Sequence, residues 1–457
     1  MKNKLLLALA CLLLCACGNL KNQTSPNGKI ELAYVGDKAQ NHAFKVNYIG
    51  ENGAIEALDI PVVGVLTSNE WGKNLTLEGV SKANYIKEEY TMLTGKRKAC
   101  SNEANEYVYQ FKDSLQKEIK LVFRLYNDGV AFRYEIPALE EALIKDELTT
   151  IRIPEGRKRW MQTYDQGYEG FYPESTTGKI TTGRNRSQQW GNPALIQVAD
   201  DVWTLISEAG IEKMHSASSW KNDKVVTDYK LFLDKNEKPV SGDWFSPWRV
   251  VMIGSLADVV ESTLITDVSP ASRVEDTSWI QPGSVSWIYW AYNHGSKDYQ
   301  IVKKYIDMAV EMKLPYVLID AEWDEMSNGG TIEDAINYAK ECGVKPLIWY
   351  NSSTAWIKEW GAPGPHQRLN DPEKRDKEFA WLEEIGVVGV KIDFFAGDLQ
   401  ETMAYYIDLL DCAAKHKLMV NFHGAAIPRG WQRTYPHMMT VEAVYGAEWY
   451  NNAPVLT

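Results

Sequence analysis

The chain has 457 residues, enough for two or three domains with large cores. It is 45% hydrophobic and 24% charged, an ordinary globular balance, and its net charge of -12 argues against nucleic acid or an anionic membrane surface as a partner. The 17 Trp and 24 Tyr stand out, because aromatic rings fill cores and also stack on the apolar faces of sugars.

The first segment reads as a targeting signal. Lys2 and Lys4 precede an apolar run, Leu5 to Leu14, that is short for a membrane span. Leu14-Cys15-Ala16-Cys17 resembles a bacterial lipobox with Cys17 as the lipidated residue, so residues 1–17 are expected to be a lipoprotein signal peptide. An ordinary cleaved signal peptide is the alternative. No acidic cluster follows Cys17, which favours a periplasm-facing, outer-membrane lipoprotein. Beyond the leader remain Cys100, Cys342 and Cys412, an odd number at wide spacing. Neither a disulfide framework nor a zinc pattern can be read from them.

From residue 25 to 276 the chain reads as short alternating strands. Examples are Ala43–Tyr48, Tyr107–Phe111 and Lys120–Tyr126, the last followed by the turn Asn127-Asp128-Gly129 and by Val130–Glu135. A large N-terminal β-sandwich is expected. From residue 282 the pattern becomes strand–helix alternation. Strands are predicted at Trp287–Tyr292, Tyr316–Asp320, Pro346–Tyr350, Gly389–Phe394, Leu418–Phe422 and Met438–Val444. Helices are predicted at Asp298–Lys313, Thr331–Cys342, Asp371–Ile385 and Leu399–His416, with Thr331 and the acidic residues after it as an N-terminal cap. These units, over 282–457, suit a (β/α)8 TIM-type barrel, of which about six of eight strands are found, so the barrel is expected to be incomplete.

Polar residues crowd the carboxyl ends of these strands, where barrel enzymes place their chemistry. They include His294, Asp320 to Asp324, Trp349 to Asn351, Lys391 with Asp393, His423, and Glu442 with Glu448. In Gly389–Phe395 the period of two puts Lys391 and Asp393 on one face. An ammonium beside Asp393 would keep it ionised, as a nucleophile requires; a simple ion pair is the plainer reading. Glu442 and Glu448 are candidates for a second carboxyl group, and close carboxylates also suit Ca2+. Trp323, Trp349 and Trp431 are either sugar-stacking walls or core. Asp320, Asn351, His423 and Arg429 are candidates for binding substrate hydroxyls. Nothing in the sequence orients His423 as a base.

Several segments together resemble glycoside hydrolase family 97, periplasmic α-glycosidases of glycan-using bacteria. They include Tyr126–Tyr134, Leu205–Gly210, Pro247–Val251 and Trp279–Gly283 in the first half and at the junction. Val390–Phe394, Asn421–Gly424, Arg433–Pro436 and the Glu442–Glu448 stretch complete the set. The resemblance implies an N-terminal β-sandwich, a (β/α)8 barrel and a small C-terminal β-domain. By that pattern the last barrel strands and the C-terminal domain are missing. It implies a catalytic Ca2+ with Glu169 as a ligand from the first domain, Glu174 being the fallback, and with Glu442 and Glu448 as further ligands. Inverting members carry a base glutamate where Gly424 stands and no aspartate on the fourth strand, so the resemblance implies the retaining, α-galactosidase-like branch. Asp393 then maps to the nucleophile and Glu448 to the acid/base. The expected function is a retaining exo-α-galactosidase acting on oligosaccharides; the alternatives are an inverting α-glucosidase and a non-catalytic glycan-binding lipoprotein.

Overall fold

Alternating sequence becomes antiparallel strand, and the change of period near residue 282 becomes a change of architecture. The computed structural model of the chain describes residues 23–36, 42–51, 53–180, 188–234, 236–354 and 362–446. Cys17 and Glu448 lie outside them.

Among the described residues between Gln23 and Gly254, 18 strands join in one hydrogen-bonded network. The hairpin predicted at Asn127 is present: Glu118–Tyr126 pairs with Gly129–Ala142, from Tyr126 opposite Gly129 to Lys120 opposite Glu135. Gly129 opens the second strand because a Cβ there would lie 2.2 Å from the Val251 carbonyl oxygen of the neighbouring strand. The apolar face of this hairpin closes on a tight aromatic cluster. Phe44 sits 4.9 Å from Tyr109 and 4.8 Å from Phe123, ring to ring, and Phe123 sits 5.2 Å from Phe132. The first half is therefore a large β-rich domain.

The second half forms a parallel half-barrel sheet of six strands: Val285–Trp287, Tyr316–Ile319, Lys345–Asn351, Gly389–Asp393, Met419–Phe422 and Met438–Val441. Each pairs with the next in chain order. The first strand ends at Trp287, short of the predicted Tyr292, and the chain turns there with Trp290 and Tyr292 exposed. Helices Tyr299–Glu311, Ile332–Glu341, Pro372–Ile385 and Gln400–Lys415 fall where they were predicted. Thr331 and Asp334 form a reciprocal capping box, and Gly386 ends the third helix in the left-handed conformation. Among the described residues no helix is long and apolar enough to cross a membrane.

A chain of buried charges joins the two halves. Arg249 pairs with Glu147 at 2.6 Å and with Glu208 at 2.5 Å. Glu208 also accepts from Arg429 at 2.6 Å, and Arg429 reaches Asp398 at 3.0 Å. Tyr168 closes the set, its hydroxyl donating to Asp398 at 2.5 Å. Glu147, Tyr168, Glu208 and Arg249 belong to the β-rich domain, Asp398 and Arg429 to the half-barrel. Removing one partner from such a set leaves a buried charge unanswered. Arg429→Met is expected to destabilise the protein by about 3–5 kcal/mol, read as a lower midpoint of chemical denaturation; an unchanged midpoint would show that the pairing is dispensable.

Candidate active site

The register of the parallel sheet decides which side chains meet. Trp349 lies opposite Lys391, and Asn351 opposite Asp393. Lys391 and Asp393 therefore project from the fourth strand beside Trp349, into a cavity of about 850 Å³ at the carboxyl ends of the strands. Asp320, His423, Gly424 and Glu442 line the same cavity from three other strand ends. Glu169 reaches it from the β-rich domain, in a loop that also brings Tyr164, Asp165, Gln166 and Gly167.

One ammonium is shared between two carboxylates. Lys391 Nζ stands 3.2 Å from Asp320 Oδ2 and 3.6 Å from Asp393 Oδ2. Two indoles complete the arrangement. Trp287 Nε1 donates to Asp320 at 2.6 Å, and Trp349 Nε1 donates to Asp393 at 3.2 Å. Lys391 also lies over the Trp287 ring, 4.6 Å from its centroid. Burial pulls the Lys391 pKa down, but the carboxylates of Asp320 and Asp393 more than offset it, and the ammonium is held above its ordinary range. For Asp393 burial wins: its pKa is raised, with Lys391 and His423 opposing the rise. The expectation that Lys391 keeps Asp393 ionised is thus half the balance, because desolvation in the cavity works the other way.

His423 has the partner that its sequence context did not reveal. Its Nδ1 lies 3.2 Å from Glu442 Oε2, and the same oxygen accepts the Gly424 N–H at 3.0 Å. Burial disfavours the Glu442 charge, yet His423 and the Gly424 amide more than compensate, and its pKa is below the usual value. Glu442 is therefore an ionised carboxylate facing the cavity. With Glu169 it offers hard oxygen donors from two domains to one space, a donor set that suits Ca2+.

Six candidates, Trp323, Asn351, Arg429, Trp431, Glu174 and His294, fall outside the cavity. Trp323 is buried and donates its indole N–H to the Trp349 carbonyl at 2.7 Å, so it packs behind the site. Asn351 is fully buried and spans the Pro363 carbonyl and the Ser353 amide, fixing the loop after its strand. Arg429 is buried at 2% exposure, and Glu208, Asp398, Tyr168 and the Ile427 carbonyl use its donors. None is available to a sugar. Trp431 is likewise core, donating to the Ile211 carbonyl. Glu174 pairs with exposed Lys158 and lies away from the cavity. His294 and Lys297 pair with Glu322 rather than with the cavity groups.

The structure also adds residues that sequence reasoning passed over. Trp287 and Tyr289 were missed because their strand ends at Trp287 rather than at the predicted Tyr292, so the strand-end rule pointed to His294 instead. Tyr164, Gln166 and Gln189 come from the other domain and carry no local signal.

Gly424 explains why this corner of the site is built as it is. Its φ is +47°, and a Cβ there would stand 2.9 Å from Asp393 Oδ1 and 3.0 Å from the Phe394 amide nitrogen. A side chain at 424 would force the Asp393 carboxylate or the Phe394 backbone to shift.

A β-rich domain joined to a parallel half-barrel, with a carboxylate flanked by an ammonium in its mouth, is the architecture of a glycoside hydrolase. Residues 24–270 match the glycosyl-hydrolase 97 N-terminal domain and residues 283–444 match glycoside hydrolase 97. The chain belongs to glycoside hydrolase family 97. It is 30% identical over 409 residues to a protein of Streptomyces bingchenggensis named "Probable retaining alpha-galactosidase", covering 87% of this chain and 61% of that one. It is 26% identical over 421 residues to the "Retaining alpha-galactosidase" of Bacteroides thetaiotaomicron, covering 83% and 61%. The chain thus spans about three fifths of the length of these relatives. Among solved structures, a beta-arabinopyranosidase superposes with a TM-score of 0.84 at 28% identity, over 93% of this chain and 70% of that one. A family 97 enzyme of a Pseudoalteromonas species, in complex with panose, superposes with a TM-score of 0.80 at 19% identity, over 94% and 70%, a likeness of fold.

Gly424→Ala is expected to lower kcat/KM on the α-galactoside proposed below by about 10²-fold, the scale of a small misplacement at a reacting group, while circular dichroism stays unchanged. Full activity in the alanine variant would show that the corner is looser than it looks.

Proposed function

We propose that this chain carries the site of a retaining exo-α-galactosidase, which removes terminal α-linked galactose from oligosaccharides by double displacement. The observation that carries the reading is Asp393, a buried carboxylate at the mouth of the half-barrel, oriented by Trp349 and by its neighbour's amide, with Lys391 beside it. Asp393 attacks the anomeric carbon and forms a glycosyl ester. Glu448 protonates the leaving oxygen and then activates water for the second displacement. The crowding at Gly424 supports retention, since a base glutamate at that corner would collide with Asp393. Asp320 and Lys391 offer paired hydrogen-bonding groups to the ring hydroxyls, and Trp287, Tyr289 and Trp349 offer aromatic walls.

The parallel sheet is proposed as the greater part of a (β/α)8 barrel, and the β-rich domain as a sandwich. Glu169, Glu442 and Glu448 would hold Ca2+, which would supply fixed positive charge close to the reacting bond. Cys17 is proposed as a lipid anchor at the periplasmic face of the outer membrane.

The solved beta-arabinopyranosidase favours a second reading. β-L-Arabinopyranose has the ring of α-D-galactose without the exocyclic carbon, so the same polar groups could hold either sugar. Comparing kcat/KM on nitrophenyl α-galactoside and nitrophenyl β-L-arabinopyranoside separates the two.

Asp393→Asn in the full-length protein is expected to abolish turnover, and proton NMR of the parent enzyme's first product should show the α-anomer. A β-anomer, or near-normal activity in the variant, would overturn the mechanism. The raised pKa of Asp393 has a signed consequence. The nucleophile must be ionised, so kcat/KM should fall as pH drops through a value above that of an ordinary aspartate. Lys391→Met removes the cation that opposes this rise and should move the acidic limb to still higher pH. A limb that stays in place would show that Lys391 does not govern Asp393.

A further inference from the structure

Outside the cavity, on the helices that cover the half-barrel, a second set of chemically reactive side chains converges. Cys412 and His416 are one helical turn apart, on Gln400–Lys415 and at its C-terminal cap, and so share a face. They face Asp376 of the neighbouring helix Pro372–Ile385. His416 Nε2 lies 3.0 Å from Asp376 Oδ1, Cys412 Sγ lies 3.9 Å from the same oxygen, and the ligand atoms of all three are within 4.8 Å of one another. We propose that Asp376, Cys412 and His416 form a metal site for a borderline divalent ion of the zinc class, with a water molecule as fourth ligand.

Three arguments carry it. The first is spacing. Tetrahedral zinc with sulfur, nitrogen and oxygen ligands holds those atoms roughly 3.3–3.6 Å apart, so small side-chain rotations close the present triangle. The second is donor type. Thiolate, imidazole and carboxylate together select zinc or cobalt over calcium or magnesium, which prefer all-oxygen sites. The third is the histidine's support. His416 Nδ1 stands 3.1 Å from Glu383 Oε2, on the same helix as Asp376. A carboxylate accepting the Nδ1 proton leaves the Nε2 lone pair directed at the ion, the arrangement that commonly backs metal-binding histidines. In the present arrangement Lys415 pairs with Asp376 at 2.6 Å, but its side chain is 62% exposed and can swing into solvent when the ion arrives. Binding replaces the Cys412 thiol proton, which leaves to water, with a metal–sulfur bond. The ion would then tie two covering helices together without touching the catalytic cavity.

Cobalt(II) titration of the full chain tests this. One equivalent should give a thiolate-to-cobalt charge-transfer band in the near ultraviolet, displaced by zinc and missing in Cys412→Ser. Asp376→Asn, at a half-buried position where the amide keeps the shape of the carboxylate, should weaken binding by tenfold or more, and Glu383→Gln by roughly 10–100-fold. Absence of the band, its survival in Cys412→Ser, or undiminished affinity in both carboxylate variants would each overturn the proposal.

Discussion

The run of buried charges from Glu147 through Arg249, Glu208 and Arg429 to Asp398 is the constraint on which the site depends. Its members are almost inaccessible to water, so no solvent can stand in for a missing partner. Asp398 follows the Asp393 strand by a few residues, and Tyr168 precedes Glu169 by one. The hydrogen bond between Tyr168 and Asp398 therefore fixes the loop of one domain against the segment that follows the Asp393 strand of the other. Gly397 permits this approach, because a Cβ there would lie 3.1 Å from Gln166 and 3.2 Å from the Tyr164 hydroxyl. The cavity is a product of the interface, and neither domain encloses it alone.

Within that cavity the electrostatics are a contest between burial and pairing. Asp393 and Asp320 share the Lys391 ammonium, and each also accepts an indole N–H. Indoles donate without adding charge, so they direct the carboxylates while leaving the balance of charge to Lys391. Glu442 is treated differently. His423 and the Gly424 amide keep it ionised despite burial, which leaves the site with carboxylates of unequal basicity. Such inequality is what lets neighbouring acids take different roles.

Much of the architecture was legible because period and position carry it. The hairpin around Asn127, the capped helices after Asp298, Thr331 and Asp371, and the parallel strands all follow from local patterns. The strand-end rule also led to Asp320, Lys391, Asp393, His423 and Glu442. It failed for Trp323 and Asn351, as residue type did for Arg429, because position along a chain does not say which polar atoms are already taken. Arg429 looked like a sugar-binding cation and is instead held by carboxylates more than a hundred residues away in sequence, or on a different loop. The Asp376, Cys412 and His416 cluster was invisible for a related reason. Its ligands come from two helices, so no metal spacing appears in the linear text.

The amino-acid sequence by itself determined the two-part architecture, the family resemblance, and the choice of Asp393 with glycine at position 424. These are properties of residue type and short-range period, which backbone sterics and hydrophobic burial convert directly into elements. Tertiary structure alone decided that Trp287 and Trp349 direct the carboxylates, that His423 rests on Glu442, and that a side chain at 424 would force Asp393 or Phe394 to shift. Those are distances between strands and between domains. They depend on register and on the buried charges at the interface, and neither is written in any one segment.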